Sequence, residues 1–295
     1  MKIRFWGVRG SIPSPGPKTA RYGGNTTCIE VRSDAGELII IDAGTGIAAL
    51  SQALLGKLPV KANIFITHTH WDHIHGLPFF LPFFIPGNKV KLHGAFDIIT
   101  GHGVQQVMEV QMQYSYFPIR EAELRAAIEY QTLEIGETVT VGDATVSSTL
   151  LNHPVVDFGY RVSCNGKSMF FTGDHEPWYN IYDLGDEGYD EFQAMIDEKQ
   201  KCMDDFLRGV DVLIVDCSYT TAEYPAKRGW GHGTFAGAIE LARRVGAKQL
   251  VCTHHEPTRS DDELERVFDE VLQQYPPQPG DSKIMLSYEG LEIDL

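Results

Sequence analysis

Apolar positions along this chain fall into two periods. Short β-branched and aromatic runs, bounded by glycine, proline or aspartate, predict strands at Lys2–Val8, Thr27–Val31, Glu37–Ile41, Ala62–Thr67 and Val90–His93. From about residue 129 to 172 further strands alternate, over Glu137–Val141, Ala144–Leu151, Gly159–Cys164 and Ser168–Thr172. Val212–Asp216 and Gln249–Thr253 read as buried strands. Helical spacing recurs near Ile47–Leu55, Asp190–Arg208, Thr234–Val245 and Asp261–Gln274. Strand-then-helix pairs at both ends predict an α/β protein of sheets covered by helices. No internal sequence repeat is visible. Leu77–Pro86 holds four phenylalanines and three prolines and predicts a short, broken helix packed mostly as core. Residues 95–128 read as an irregular insertion with helical stretches, expected to cap the site.

Composition narrows this picture. The 295 residues, 43% of them hydrophobic, can build a large core, read as one domain over 1–295. Forty acidic against 25 basic residues give a net charge of −15, a surface that repels polyanions. A small anionic substrate remains compatible, because bound cations reverse the sign locally. Five cysteines, with no C-x-x-C pair, argue against a disulfide framework and fit a cytoplasmic setting. No apolar run reaches the length of a membrane span, and Met1–Trp6 does not read as a signal peptide.

The candidate chemistry centres on Thr67-His68-Thr69-His70-Trp71-Asp72-His73-Ile74-His75-Gly76. It places four of the chain's 11 histidines within eight positions, on the turn that leaves a buried strand. A solvated polar loop would not concentrate them so. Alternate residues of an extended chain point the same way, so His68 and His70 can grip one ion. Asp72 and His73 follow once the chain turns and can reach a second. Imidazole with carboxylate suits zinc first, with manganese or iron as alternatives. Three further residues stand where apolar strands end: His153, Asp174 and His254. Each is the first strongly coordinating side chain beyond its strand. Register favours His254 over its neighbour His255. His75 and His175 read as supporting or exposed residues.

These residues resemble those of the metallo-β-lactamase-fold hydrolases, most closely the phosphodiesterase-like branch related to RNase Z. The resemblance rests on Thr67–Gly76, His153, Asp174, Gly231-His232-Gly233-Thr234 and His254, with Phe5–Ser11 and Gly23–Cys28 near the start. It implies an αβ/βα sandwich of two mixed sheets flanked by helices, with the site at one edge of the sheets. It further implies a first metal on His68, His70 and His153, a second on Asp72, His73 and His254, and Asp174 bridging both. Two divalent ions at about 3.5–4 Å would activate a shared water as the attacking hydroxide. Asp72 and His232 are the residues given catalytic roles, His232 as an acid to the leaving oxygen.

The chain departs from the transfer-RNA-processing members in lacking a compact glycine- and basic-rich arm and in its acidity. A small phosphodiester, such as a cyclic nucleotide or cyclic phosphate, is therefore the expected substrate. Nucleic acid and membranes are not expected partners, and homodimerisation is left open. The rival readings are a tRNA 3′-processing endonuclease, a thioester or lactone hydrolase, and a metal-retaining sensor without turnover.

Overall fold

The computed structural model describes residues 1–98, 100–276 and 278–295; residue 99 of the 95–128 stretch lies outside them. Fourteen strands and six α-helices alternate along these residues. The first half runs β1 (Lys2–Gly7), β2 (Cys28–Arg32), β3 (Leu38–Ile41), α1 (Gly46–Leu54), β4 (Lys61–Phe65), α2 (Trp71–Ile74), β5 (Lys89–Ala95), α3 (Val104–Gln111) and β6 (Ala127–Leu133). The second half runs β7 (Thr138–Val141), β8 (Ala144–Leu150), β9 (Phe158–Cys164), β10 (Lys167–Phe171), α4 (Tyr189–Leu207), β11 (Val212–Asp216), α5 (Phe235–Val245), β12 (Gln249–Thr253), α6 (Asp261–Gln274), β13 (Lys283–Leu286) and β14 (Glu292–Asp294).

The strands form two seven-stranded sheets, ordered β14-β1-β2-β3-β4-β5-β6 and β13-β12-β11-β10-β9-β8-β7. Each is mixed in the same way. From β14 inward, three antiparallel pairings are followed by three parallel ones. From β7 inward the second sheet repeats that series. The two halves thus share a pairing pattern although no sequence repeat marks it. This is the αβ/βα sandwich expected from the sequence, with a helical layer on each outer face.

The burial of β3 shows how residues select the layers. All four residues of Leu38-Ile39-Ile40-Ile41 are buried. Ile39 and Ile41 point between the sheets, where they join Phe5, Phe65, Phe171 and Ile214. Leu38 and Ile40 point outward and pack with Ile47 and Leu50 of α1. A strand covered on both faces needs this continuous apolar run. On the second sheet the outward set, Phe170, Leu213 and Leu250, packs against Ile239 of α5 and Leu264 of α6. Both helices carry N-caps: Thr234 accepts from the Gly237 amide at 3.0 Å and Ser260 from the Glu263 amide at 3.3 Å.

Three features differ from the pattern-based reading. Leu77–Phe84 forms two short 3₁₀ turns in place of a helix, since its prolines break helical bonding. The stretch 95–128 ends in β6, a parallel edge strand that starts at Ala127. Two short strands near the C-terminus, β13 and β14, close the sheet edges and are too brief to show a period. Helix α3 buries Val104 and Met108 against the first sheet's outer face. Gln111, the last residue of α3, donates to the Ile74 carbonyl at 3.0 Å and so buttresses α2. Among the described residues, no helix is long and apolar enough to cross a membrane.

Candidate metal centre

All seven predicted ligand residues leave the C-terminal ends of strands and meet at one edge of the two sheets. His68 and His70 follow β4, and α2 then turns Asp72 and His73 back towards them. His153 follows β8, Asp174 follows β10 and His254 follows β12. Their ligand-type atoms form two groups, each spanning no more than 4.8 Å: His68, His70, His153 and Asp174, then Asp72, His73, Asp174 and His254.

In the first group, His70 Nδ1 lies 3.1 Å from His68 Nε2 and 3.1 Å from His153 Nε2. Asp174 Oδ2 lies 3.6 Å from His68 Nε2. In the second group, Asp174 Oδ1 lies 3.2 Å from His73 Nε2 and 3.0 Å from His254 Nε2. Asp72 Oδ2 stands 3.2 Å from that same His254 nitrogen. Asp174 therefore turns one oxygen to each group. His255 points elsewhere: its Nε2 donates to the Ser287 carbonyl at 2.9 Å and its ring meets Tyr22 edge-on. The geometry thus places His254, and not His255, in the cluster.

Supporting groups orient most of these rings through their other nitrogen. His73 Nδ1 donates to Asp42 Oδ2 at 2.7 Å, while Asp42 Oδ1 accepts from the Thr67 amide at 2.8 Å. His153 Nδ1 donates to the Gly231 carbonyl at 3.0 Å. His254 Nδ1 lies 3.0 Å from the Ser218 hydroxyl, which itself donates to Asp216 at 2.7 Å. Asp157 sits fully buried 3.5 Å from His68 Nδ1. Such partners fix ring orientation and raise imidazole basicity. The backbone helps too. Asp42 and His254 both adopt positive φ, at 62° and 57°. Non-glycine residues adopt this region uncommonly and are held there by the surrounding contacts. Gly10 is required by proximity, because a Cβ on it would stand 2.3 Å from the His254 ring.

The electrostatics of the two groups differ. Burial, with the nearby His73, drives His68 well below the ordinary histidine range, and burial lowers His153 to about 4. Both are held as neutral imidazoles with a free lone pair. Burial also opposes charge on His73 and His254, yet Asp174 with Asp72 or Asp216 outweighs it and raises both well above that range. The second group is a pocket of buried carboxylates that calls for positive charge. His73 Nε2 and Asp174 Oδ1 are, in addition, buried without a hydrogen-bond partner. Neutral imidazoles, clustered carboxylates and unpartnered polar atoms fit cation binding.

His232 enters from the loop before α5. Its Nδ1 donates to Asp216 Oδ2 at 2.9 Å and lies 3.7 Å from Asp174. Its ring stacks on His254 with centroids 4.9 Å apart. Ser11, Thr69, His70, Trp71, Asp72, Asp174 and His232 line one open cleft. His75 is exposed, whereas His175 is buried and receives the Asn152 amide at 3.3 Å. The pattern-based reading missed Asp42, Asp157, Glu176, Asp216 and Ser218 as site residues. For Asp42 and Asp216 the signal was present: Asp42 is the first carboxylate after β3, as Asp174 is after β10, and Asp216 ends the apolar strand β11.

Residues 38–255 match the family described as the β-lactamase superfamily domain. Ribonuclease BN of Cronobacter sakazakii is 25% identical, over 94% of this chain and 96% of that protein. Human tRNase Z, short form, superposes with a TM-score of 0.62 at 20% identity, covering 100% of this chain and 99% of the other. A diphosphatase from the PhnP family superposes with a TM-score of 0.64 at 19% identity, covering 100% of this chain and 97% of the other.

Proposed function

Since the chain belongs to the β-lactamase superfamily domain family, we propose that it is a dinuclear metal-dependent hydrolase of small phosphodiesters, with a cyclic nucleotide or cyclic phosphate as first candidate. His68, His70 and His153 would hold one divalent ion, Asp72, His73 and His254 the other, and Asp174 would be shared. Zinc suits this donor set first, with manganese or iron as alternatives. Bound there, the two ions would supply a nucleophile at neutral pH and neutralise the phosphoryl oxygens.

The chain's own groups account for the rest. The Ser11 amide donates to Asp72 Oδ2 at 2.7 Å and fixes that carboxylate's rotamer. Asp42, Ser218 and the Gly231 carbonyl hold the imidazoles of His73, His254 and His153 in place. His232 lines the cleft with Nδ1 engaged by Asp216, which leaves Nε2 to give a proton to the departing ester oxygen. The His232–Asp216 pair is the observation that carries the phosphodiester reading, because an alkoxide leaving group needs an acid far more than a thiolate does. The test is a substrate panel on metal-reconstituted protein: bis-p-nitrophenyl phosphate, cyclic nucleotides, precursor tRNA and thioesters. Phosphodiester turnover should exceed thioester turnover, and the reverse order defeats the proposal.

A second reading, tRNA 3′ processing, is favoured by the relatives named ribonuclease BN and tRNase Z. The net charge of −15 weighs against it. Cleavage of precursor tRNA with steeply salt-dependent affinity would promote it above the first.

A further inference from the structure

Beside the metal cleft runs a groove whose apolar side chains take no part in holding the ligand residues. It is lined by Trp178, Ile181, Phe192 and Met195, and it shares His153 with the first ligand group. Gly229 and Gly231 form its near wall. His232 is the next residue and lines the cleft on the other side of the same loop. The loop is therefore a ridge, with the proton donor on one flank and the groove on the other. Resting on the phosphodiesterase reading, we infer that this groove receives the substrate's leaving alcohol and that this alcohol carries an aromatic ring.

The ridge is built before any substrate arrives. Glu176, 2% exposed, accepts the amides of Gly229 at 2.9 Å and Gly231 at 3.0 Å, together with the Tyr224 hydroxyl at 2.7 Å. Arg228 lies 3.8 Å over the Tyr179 ring and donates to the Asn180 carbonyl at 3.0 Å, tying the loop to the bank that carries Trp178. Gly231 has φ of 87°, and a Cβ on it would stand 2.2 Å from His153 Nδ1. The wall can approach the cluster this closely only as glycine. Preformed walls spare the ordering cost of binding. The apolar lining is uncovered, with Ile181 65% and Met195 42% exposed. Its rings offer the faces and edges that another ring packs against. A phosphoryl group at the cluster, with its ester oxygen beside His232, would send the leaving group across Gly231 into this groove.

The experiment compares methyl phenyl phosphate with methyl 2-naphthyl phosphate on the metal-reconstituted full chain. The two leaving phenols are similar in acidity, so the demand on His232 is matched. Burial of the second ring should favour the naphthyl ester about tenfold in kcat/KM. Ile181→Asp and Met195→Asp alter exposed side chains, so folding and metal content should persist while that preference falls to about twofold or less. Equal rates in the parent protein, or a preference untouched by both variants, overturn the inference and leave the phosphodiesterase reading standing. Turnover of a thioester with neither phosphodiester cleaved overturns both. A dimer that Ile181→Asp dissociates in light scattering would mean that a second copy covers the groove, which also overturns it.

Discussion

Asp216 serves two histidines from one buried carboxylate. Its Oδ2 accepts His232 Nδ1 at 2.9 Å, and its Oδ1 lies 3.5 Å from His254 Nδ1 and 2.7 Å from the Ser218 hydroxyl that also meets that ring. His232 and the second group's His254 are thereby held by the same strand end, that of β11. Their rings stack with centroids 4.9 Å apart.

The first prediction concerns metal content. Gently purified or reconstituted protein should carry close to two transition-metal equivalents by elemental analysis. Asp174→Ala should lose both, since Asp174 turns one oxygen to each group. His73→Ala should lose mainly one. Chelation should lower Tm by about 5–10 °C, the shift expected when a ligand held at 100 to 1,000 times its Kd is removed from a chain of this size. An unchanged Tm and no bound metal after reconstitution would remove the basis for the centre.

Gly10 gives a sharper test of the second group. An alanine Cβ there would meet the His254 ring at 2.3 Å, and the ring is hemmed in by Ser218 and His232. Gly10→Ala should therefore displace His254 and reduce metal content from two equivalents towards one, with activity falling at least about 100-fold. Retention of both metals at near-normal rates would show that His254 is free to move or is not a ligand.

The fold and the residues that gather at one edge of the sheets were legible for one shared reason. Apolar strands end abruptly at polar residues, so β4, β8, β10 and β12 announce both themselves and the side chains at their C-termini. Long runs such as Gln249–Thr253 and Asp261–Gln274 matched to the residue. What escaped depends on pairing rather than pattern. Strand β14 has three residues and exists because Ile293 pairs with Ile3 of β1. Register favoured His254 over His255, and the structure adds the backbone φ of 57° at His254, which no local composition encodes. Glu176 looks like any acid after a histidine until the chain brings Gly229 and Gly231 to it, some 53 residues later.

Glu176 itself should act on the loop and not on the metals. It faces three donors, two of them main-chain amides. Glu176→Gln keeps the size, weakens those bonds by removing the charge and brings a donor towards donors. Metal content should stay at two equivalents while kcat on an alkyl phosphodiester falls about 10–100-fold, with a smaller loss on a p-nitrophenyl ester. Equal losses on both esters would assign Glu176 to general stability, and loss of metal would tie it to His153.

The last prediction separates the roles of His232. If it gives a proton to the leaving oxygen, its removal should cost about 10²–10⁴-fold on an alkyl phosphodiester such as a ribose ester. p-Nitrophenolate departs readily without an acid, so His232→Ala should lose far less on bis-p-nitrophenyl phosphate. Both metals should remain. Asp216→Asn provides the control, because Nδ1 then loses its carboxylate while the ring keeps its place beside His254. Its loss should follow the same leaving-group dependence at smaller size. In the double variant the two losses should not add, since Asp216 would act on that proton only through His232. Equal loss on both substrates with metals retained would point to phosphate binding by His232. Loss of metal would make it a ligand, an outcome the grouping of Asp174, Asp216, His232 and His254 within 4.8 Å leaves geometrically open.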